Sequence, residues 1–399
     1  MKSVESEPEI RGQSRLARSH HIESLDCLRG VSALLVMLYH YRELLNDVIP
    51  HIGNTLFENG RIGVDIFFIL SGFVMYATTQ DSKNQLVLPF LIKRVFRVIP
   101  LAWLLITVLF VARGCLDKHT FMLSVLFVPL ADIDPPFYGY NMLPPAWTLS
   151  YELWFYVMFA VGMLISRRYR GLAAAAVVTG CVFGVQKLAG FPLNIDPYLT
   201  PIYNGKPPLV PAQLISELSN PLFLEFVLGI SVAYVYSSFG EAWLGLNAKL
   251  RTGTYLVLAA YFLSHFFSGY VMGHGLTRKG FAALAIFTLY LCSDFDAALS
   301  QLKGLIRGPS NLFSFLGRIS FSLYIVHEPL HEFVQGIPVL GSLYRLTGGI
   351  GKLVTLCSFS VVVAYALYLL VERPTQRLGK VVADRFLGSL RPERLSPVV

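Results

Sequence analysis

The sequence predicts an all-α integral membrane protein, a bundle of about ten transmembrane helices with both termini in the cytoplasm. Three observations predict it. First, the 399 residues are 54% hydrophobic and only 15% charged, where soluble globular chains carry about a quarter charged residues. Second, apolar runs close to the ~20 residues needed to cross the hydrocarbon recur along the whole chain. Third, basic residues cluster in the gaps between alternate runs, which is the pattern that sets membrane orientation. The net charge of +8 and a pI near 9.2 would suit nucleic acid if the charge formed one surface. Here it lies in short loops between apolar runs, so nucleic acid is excluded as a partner and the lipid bilayer is the expected one.

Residues 1–24 (MKSVESEPEIRGQSRLARSHHIES) are polar and of mixed charge, with no apolar stretch. They read as a cytoplasmic tail, not a cleaved signal peptide, and His20 and His21 in that tail are not ligand candidates. Candidate spans follow near 30–48, 62–79, 98–113, 147–165, 171–190, 217–237, 253–271, 279–293, 316–335 and 351–371. The first is interrupted by His40, Arg42 and Glu43, and the eighth is short. The run Thr120–Ala131 is shorter than a span and is broken by Pro129. Counting it as a span would move SRRYR (166–170) outside, against the charge rule, so it reads as an interfacial or re-entrant piece of an outer loop. With the N-terminus inside, 23 of the 33 Lys and Arg residues fall on the cytoplasmic side.

The chain therefore divides into the tail 1–24, a transmembrane domain 25–377 and a basic cytoplasmic tail 378–399. Six prolines in the loop 191–216 predict an extended, ordered lid. No internal repeat is visible, which weighs against the inverted-repeat plan of transporters. The cysteines (Cys27, Cys115, Cys181, Cys292, Cys357) have no CxxC spacing, and four lie in or beside apolar runs, so they read as small core residues. Gly63, Ser71 and Gly72 in GVDIFFILSGF are suited to close helix approach.

The chemistry-bearing residues are those that sit where lipid would prefer none. LDCLRGVSALLVMLYHY opens the first span with Arg29 and places His40 eleven residues later, a rise of ~16 Å along a helix. Ionisable side chains at that depth are rare, face the protein interior, and mark function by default. The plainer alternative is a neutral histidine hydrogen-bonded between helices. Asp65, Glu152 and His327 reach similar depth on three other spans. Such groups persist in lipid by pairing or by lining a wet cavity, and a histidine oriented by a carboxylate is the equipment of a general base. At the other membrane face KRVFRVIP carries Lys93, Arg94 and Arg97. With Arg29 these would clamp an anion, since guanidinium forks match phosphate oxygens; the positive-inside rule alone is the competing explanation. No GxSxG, HExxH, GxGxxG or Walker motif occurs, and no metal ligand set is expected.

LDCLRGVSALLVMLYHY resembles the opening of the acyltransferase family 3 membrane proteins, which pair an RG with a histidine eleven residues after the arginine. RIGVDIFFILSGFVM, KRVFRVIPLAW, WTLSYELWFY, LGRISFSLYIVH and LLVERPTQR match further blocks in order, so the likeness covers roughly 23–377. Cys27 departs from the glycine common there. The chain looks like a stand-alone member, without an appended esterase-like domain. The resemblance implies a multi-pass enzyme of the bacterial inner (plasma) membrane that moves an acyl group, most often acetyl, from acyl-CoA to a carbohydrate hydroxyl. Acyl-CoA is then a substrate, and no tightly bound cofactor is expected. It further implies that Arg29, Lys93, Arg94 and Arg97 hold the phosphates of coenzyme A and that His40 is the general base. Glu152 or Asp65 would orient His40 or bind acceptor hydroxyls, and His327 would shuttle a proton or serve packing. Glu372 in VERP fits an ion pair at the inner interface as well as catalysis. Trp147 and Tyr151 are candidate acceptor contacts, and Tyr138, Tyr140, Tyr198 and Tyr203 add aromatic surface in the outer loops. The rival function is a proton-coupled transporter or flippase that uses His40, Asp65 and Glu152 as its pathway.

Overall fold

In a computed structural model the described residues are 25–79, 86–115, 117–131, 133–203, 211–244, 246–268, 273–292, 312–336 and 338–389. The tail 1–24 and Lys83, Lys303 and Arg307 lie outside them. Among the described residues there is no strand. The long helices are α1 (25–41), α2 (Ile62–Thr79), α3 (Val87–Ala112), α4 (Trp147–Ile165), α5 (Arg170–Leu188) and α6 (Leu224–Leu244), followed by α7 (Ala248–Phe267), α8 (Phe281–Cys292), α9 (Leu312–Phe333), α10 (Gly349–Leu367) and α11 (Arg373–Ser389). Among the described residues six helical stretches are long and apolar enough to cross a membrane: Ile52–Thr79, Val87–Ala112, Pro144–Ile165, Arg170–Leu188, Pro221–Phe239 and Gly349–Phe386. Helices α1, α7, α8 and α9 stand at the other four expected places. Large apolar side chains such as Val108, Val111, Leu164, Leu256, Val257 and Val362 are exposed, as befits surfaces that face lipid tails and not water.

Several boundaries differ from the sequence reading, each for a local reason. The first helix stops at residue 41, because Arg42 turns its guanidinium to Glu58 (2.6 Å) and to the Tyr39 carbonyl (2.7 Å). The third helix begins at Val87, eleven residues before the expected span, so KRVFRVIP is helical throughout; Pro89 is tolerated in its first turn, where amide hydrogens have no helical acceptor. Lys118–Val125 is a helix of 8 residues, N-capped by Asp117 through the Thr120 amide (2.9 Å). The segment expected as a basic tail from residue 378 is helical as far as Ser389, and Gly379 lets this amphipathic helix close on Phe96 of α3. Of the cysteines, Cys27 is buried, Cys181 and Cys357 are half-buried, and Cys115 is exposed, so Cys115 is not a core residue.

Packing in such a bundle rests on van der Waals contact and internal hydrogen bonds, since lipid is as apolar as the helix surfaces. Helices α2 and α6 meet through glycines. A Cβ on Gly72 would lie 2.1 Å from the Phe226 carbonyl oxygen, and one on Gly229 would lie 1.9 Å from that of Ile69. Helix α1 lies against α9, with the Tyr41 hydroxyl donating to the His327 carbonyl at 2.6 Å and meeting Ser360 of α10 at 2.8 Å. This seam sets the height of His40 beside His327.

Candidate active site

Helix α1 carries Arg29 and His40 on the walls of two different cavities. Arg29, Arg94, Arg97 and Glu152 line a narrow one of about 60 Å³, and His40, His327, Glu328 and His274 line a roomier one of about 420 Å³. Val64 and Tyr324 belong to the walls of both. The Tyr324 hydroxyl is held by Thr148 at 3.0 Å, so a tyrosine and a valine divide a cationic cavity from a histidine-lined one.

In the arginine cavity, the Arg29 fork pairs with Asp26 at 2.9 Å, one helical turn earlier. Arg94 lies over the Phe90 and Tyr156 rings, its guanidinium carbon 5.6 and 5.9 Å from their centroids. Glu152 accepts the Tyr156 hydroxyl hydrogen and is the one carboxylate among the described residues lining this cavity. Glu372 stands behind Arg97 as a charge neighbour, buried and bonded to Ser322 at 2.5 Å and Gln376 at 3.0 Å. Lys93 is exposed and does not line the cavity. Lys93 and Arg94 lie about 100° apart on either side of Arg97, so with Arg94 and Arg97 on the cavity wall Lys93 falls past its edge. Three guanidiniums facing one lining carboxylate suit an anion such as a phosphate ester.

In the histidine cavity the proton positions follow from the acceptors. His40 Nδ1 stands 2.9 Å from the Val36 carbonyl oxygen and 3.1 Å from His327 Nε2. A carbonyl only accepts, so Nδ1 carries hydrogen. His327 Nδ1 faces the Leu323 carbonyl at 3.3 Å, which puts its hydrogen there and leaves its Nε2 to accept from His40. The tautomers are assigned by this network. His40 Nε2 therefore keeps its lone pair, with Glu328 Oε2 3.8 Å away. His40, His327 and Glu328 offer ligand atoms within 4.8 Å of one another, close enough for a metal. His40 Nδ1 and His327 Nδ1 are taken up by backbone carbonyls, which leaves the two Nε2 atoms and the Glu328 carboxylate as the groups that face the cavity chemistry.

Neither carboxylate proposed to orient His40 touches it. Glu152 belongs to the arginine cavity, and Asp65 is fully buried against His274 Nδ1 (2.9 Å) and the Gly275 amide (2.9 Å). His40 is oriented instead by His327 and a backbone carbonyl. Trp147 lines the histidine cavity with Phe137 and Tyr140. Tyr151 does not: it is 1% exposed, and its hydroxyl donates to the Pro136 carbonyl at 2.8 Å. Tyr138 is likewise buried, donating to the Ser216 carbonyl at 2.9 Å. Tyr198 receives the His274 amide at 3.1 Å, and Tyr203 packs near Phe191. The sequence reading missed Glu328, His274 and Arg61, all three of which line the histidine cavity. Glu328 had a signal in its place beside His327 in VHEPL; His274 sits in a loop with none.

A family model described as an acyltransferase domain, that of acyltransferase family 3, matches residues 22–369. The chain belongs to acyltransferase family 3. Curated relatives agree. ExoZ, an exopolysaccharide production protein of Rhizobium meliloti (strain 1021), is 26% identical over 81% of this chain and 92% of its own length. MdmB, an acyltransferase of Streptomyces mycarofaciens, is 24% identical over 94% of this chain and 95% of its own. A Staphylococcus aureus (strain COL) protein named "Putative O-acetyltransferase" is 22% identical over 92% of this chain, which spans 59% of that longer relative. No solved structure matches the chain. The family and the lipid-facing helices make the protein a membrane acyltransferase.

Proposed function

We propose that this acyltransferase moves an acyl group, acetyl above all, from acyl-CoA to a hydroxyl of a carbohydrate acceptor. The observation that carries the reading is the pair of cavities at the two ends of α1, one cationic and one holding an imidazole with a free lone pair, with Val64 and Tyr324 common to both. Ten spans with both termini inside would put the arginine cavity at the cytoplasmic face of the plasma membrane, where acyl-CoA is made. Arg29, Arg94 and Arg97 would take its phosphates, and the pantetheine arm would pass toward Tyr324. The acceptor hydroxyl would give its proton to His40 Nε2 as its oxygen attacks the thioester carbonyl carbon. Collapse of the tetrahedral intermediate would break the carbon–sulfur bond, and the departing thiolate would take that proton back from His40. Glu328 would steady the imidazolium in between. The names of the relatives, with exopolysaccharide production and O-acetyl transfer among them, favour a sugar acceptor and an acetyl donor. A transporter would need His40, Asp65 and Glu152 on one route, yet each is bonded into a different cluster.

The test is purified protein in nanodiscs with radiolabelled acetyl-CoA and a de-O-acylated glycan from the producing strain. Label should move to the glycan, and free coenzyme A should appear only when glycan is present; acetyl-CoA left intact with every glycan fraction would sink the reading. Dialysis against EDTA should leave the rate unchanged, because proton transfer to His40 needs no metal. Arg94→Ala or Arg97→Ala should raise the KM for acetyl-CoA roughly ten- to a hundredfold, as expected for a lost charge-assisted hydrogen bond. The KM for the glycan should stay as it was, which initial rates at varied donor and acceptor will decide.

A further inference from the structure

The histidine cavity holds a third imidazole that the transfer step above does not use. His274 comes from the loop before the turn Leu276–Gly280, away from the helices that carry His40 and His327. It is held from every side. Its Nδ1 meets Asp65 Oδ2 at 2.9 Å, and its backbone N–H donates to the Tyr198 hydroxyl at 3.1 Å. Phe137 and Trp147 flank the ring at 6.1 and 5.5 Å between centroids. Asp65 is itself fixed, since its Oδ1 accepts the Gly275 N–H at 2.9 Å. Glu225 takes a share of the same Gly275 amide at 3.1 Å. Both carboxyls are fully buried.

What is left is Nε2. It has no hydrogen-bonding partner among the described residues, while the ring lines the cavity. The Asp65 carboxylate accepts, so Nδ1 carries the hydrogen and Nε2 keeps a lone pair. An apolar side chain would fill this wall without the desolvation of two buried carboxyls. The expense makes sense if the orientation of that one nitrogen matters.

We infer that His274, oriented by Asp65, accepts a hydrogen bond from a second hydroxyl of the acceptor, one that is not acylated. This rests on reading the cavity as the acceptor site. His40 Nε2 takes the reacting hydroxyl and His274 Nε2 takes another, so a molecule with several hydroxyls is fixed at two points. Trp147 and Phe137, packed edge to face at 4.8 Å between centroids, give the cavity an apolar wall for the C–H face of a sugar ring. His274 thus selects polyhydroxylated acceptors over simple alcohols, and Asp65 is the positioning residue that sets its tautomer.

The experiment compares wild type with His274→Leu, His274→Gln and Asp65→Asn in nanodiscs, with acetyl-CoA as donor and the de-O-acylated glycan of the producing strain as acceptor. His274→Leu and Asp65→Asn should raise the glycan KM about tenfold or more, with kcat and the acetyl-CoA KM changed by no more than about twofold. His274→Gln, whose amide oxygen still accepts, should recover part of the loss. Melting temperature and acetyl-CoA binding check the fold, and if Asp65→Asn does not fold the two His274 variants decide. An unaltered glycan KM overturns the inference. So does a fall in kcat as steep as that of His40→Ala at constant KM, which would make His274 the base. Wild type that binds acetyl-CoA but labels no glycan overturns the acceptor reading of the cavity together with this inference; wild-type transfer with unaltered variants overturns this inference alone.

Discussion

His40→Ala is expected to lower transfer by about 10²–10⁴-fold, the range that a positioned general base contributes, while acetyl-CoA still binds. The two effects separate because Arg29, at the other end of the same helix, lines a different cavity. The tautomer network makes the expectation specific. His40 Nδ1 is bound to the Val36 carbonyl and His327, so Nε2 is the nitrogen left to receive a proton, with the Glu328 carboxylate 3.8 Å behind it. His40→Gln should fare no better, since a side-chain amide cannot take a proton at neutral pH. His327→Ala should lose less, because the base survives and only its orientation loosens. Single-turnover transfer of radiolabelled acetyl measures each, with acetyl-CoA binding as the control for folding. Transfer at the wild-type rate in His40→Ala would remove the mechanism.

Much of this was legible in the chain because it is local. Hydropathy and basic loops fix where helices lie, and the eleven residues from Arg29 to His40 place two groups one membrane leaflet apart. What one dimension cannot supply is rotation. Depth put His40, Asp65, Glu152 and His327 at similar height, and the sequence reading made them one cluster. Packing turns Glu152 toward the arginines and Asp65 toward a loop residue 209 positions away. Helix azimuth is set by neighbours, so the partner of a buried carboxylate was invisible where its height was not. Lys93 and Tyr151 missed their expected sites for the same reason: each lies on the right helix, at the right level, and faces elsewhere. Asp65 found its use through His274, which no hydropathy window and no motif would have raised.

Gly317→Val should cost the enzyme its activity without touching a reacting group. Gly317 on α9 and Gly30 on α1 meet backbone to backbone. A Cβ on Gly317 would stand 2.1 Å from the Asp26 carbonyl oxygen, and one on Gly30 would stand 2.6 Å from the Gly317 nitrogen. Neither neighbour is the end of a flexible side chain, so the helices must part. The geometry beyond the contact makes this costly to function. His40 lies ten residues after Gly30, and His327 lies ten residues after Gly317. Two helices pinned at their glycines and rising about 1.5 Å per residue bring the two imidazoles level ~15 Å farther on, at the observed 3.1 Å. A valine at the pin lifts one arm off the other, breaks the His40–His327 bond and lets the base rotate. Overpacking of this kind costs about 1–3 kcal/mol of stability, so Gly317→Val should melt earlier and transfer at a small fraction of the wild-type rate. Gly317→Ala should fall between the two. Thermal melting in detergent and acetyl transfer in nanodiscs read the two losses separately. A Gly317→Val protein with wild-type melting and wild-type transfer would show that the glycine contact does not set the histidine pair.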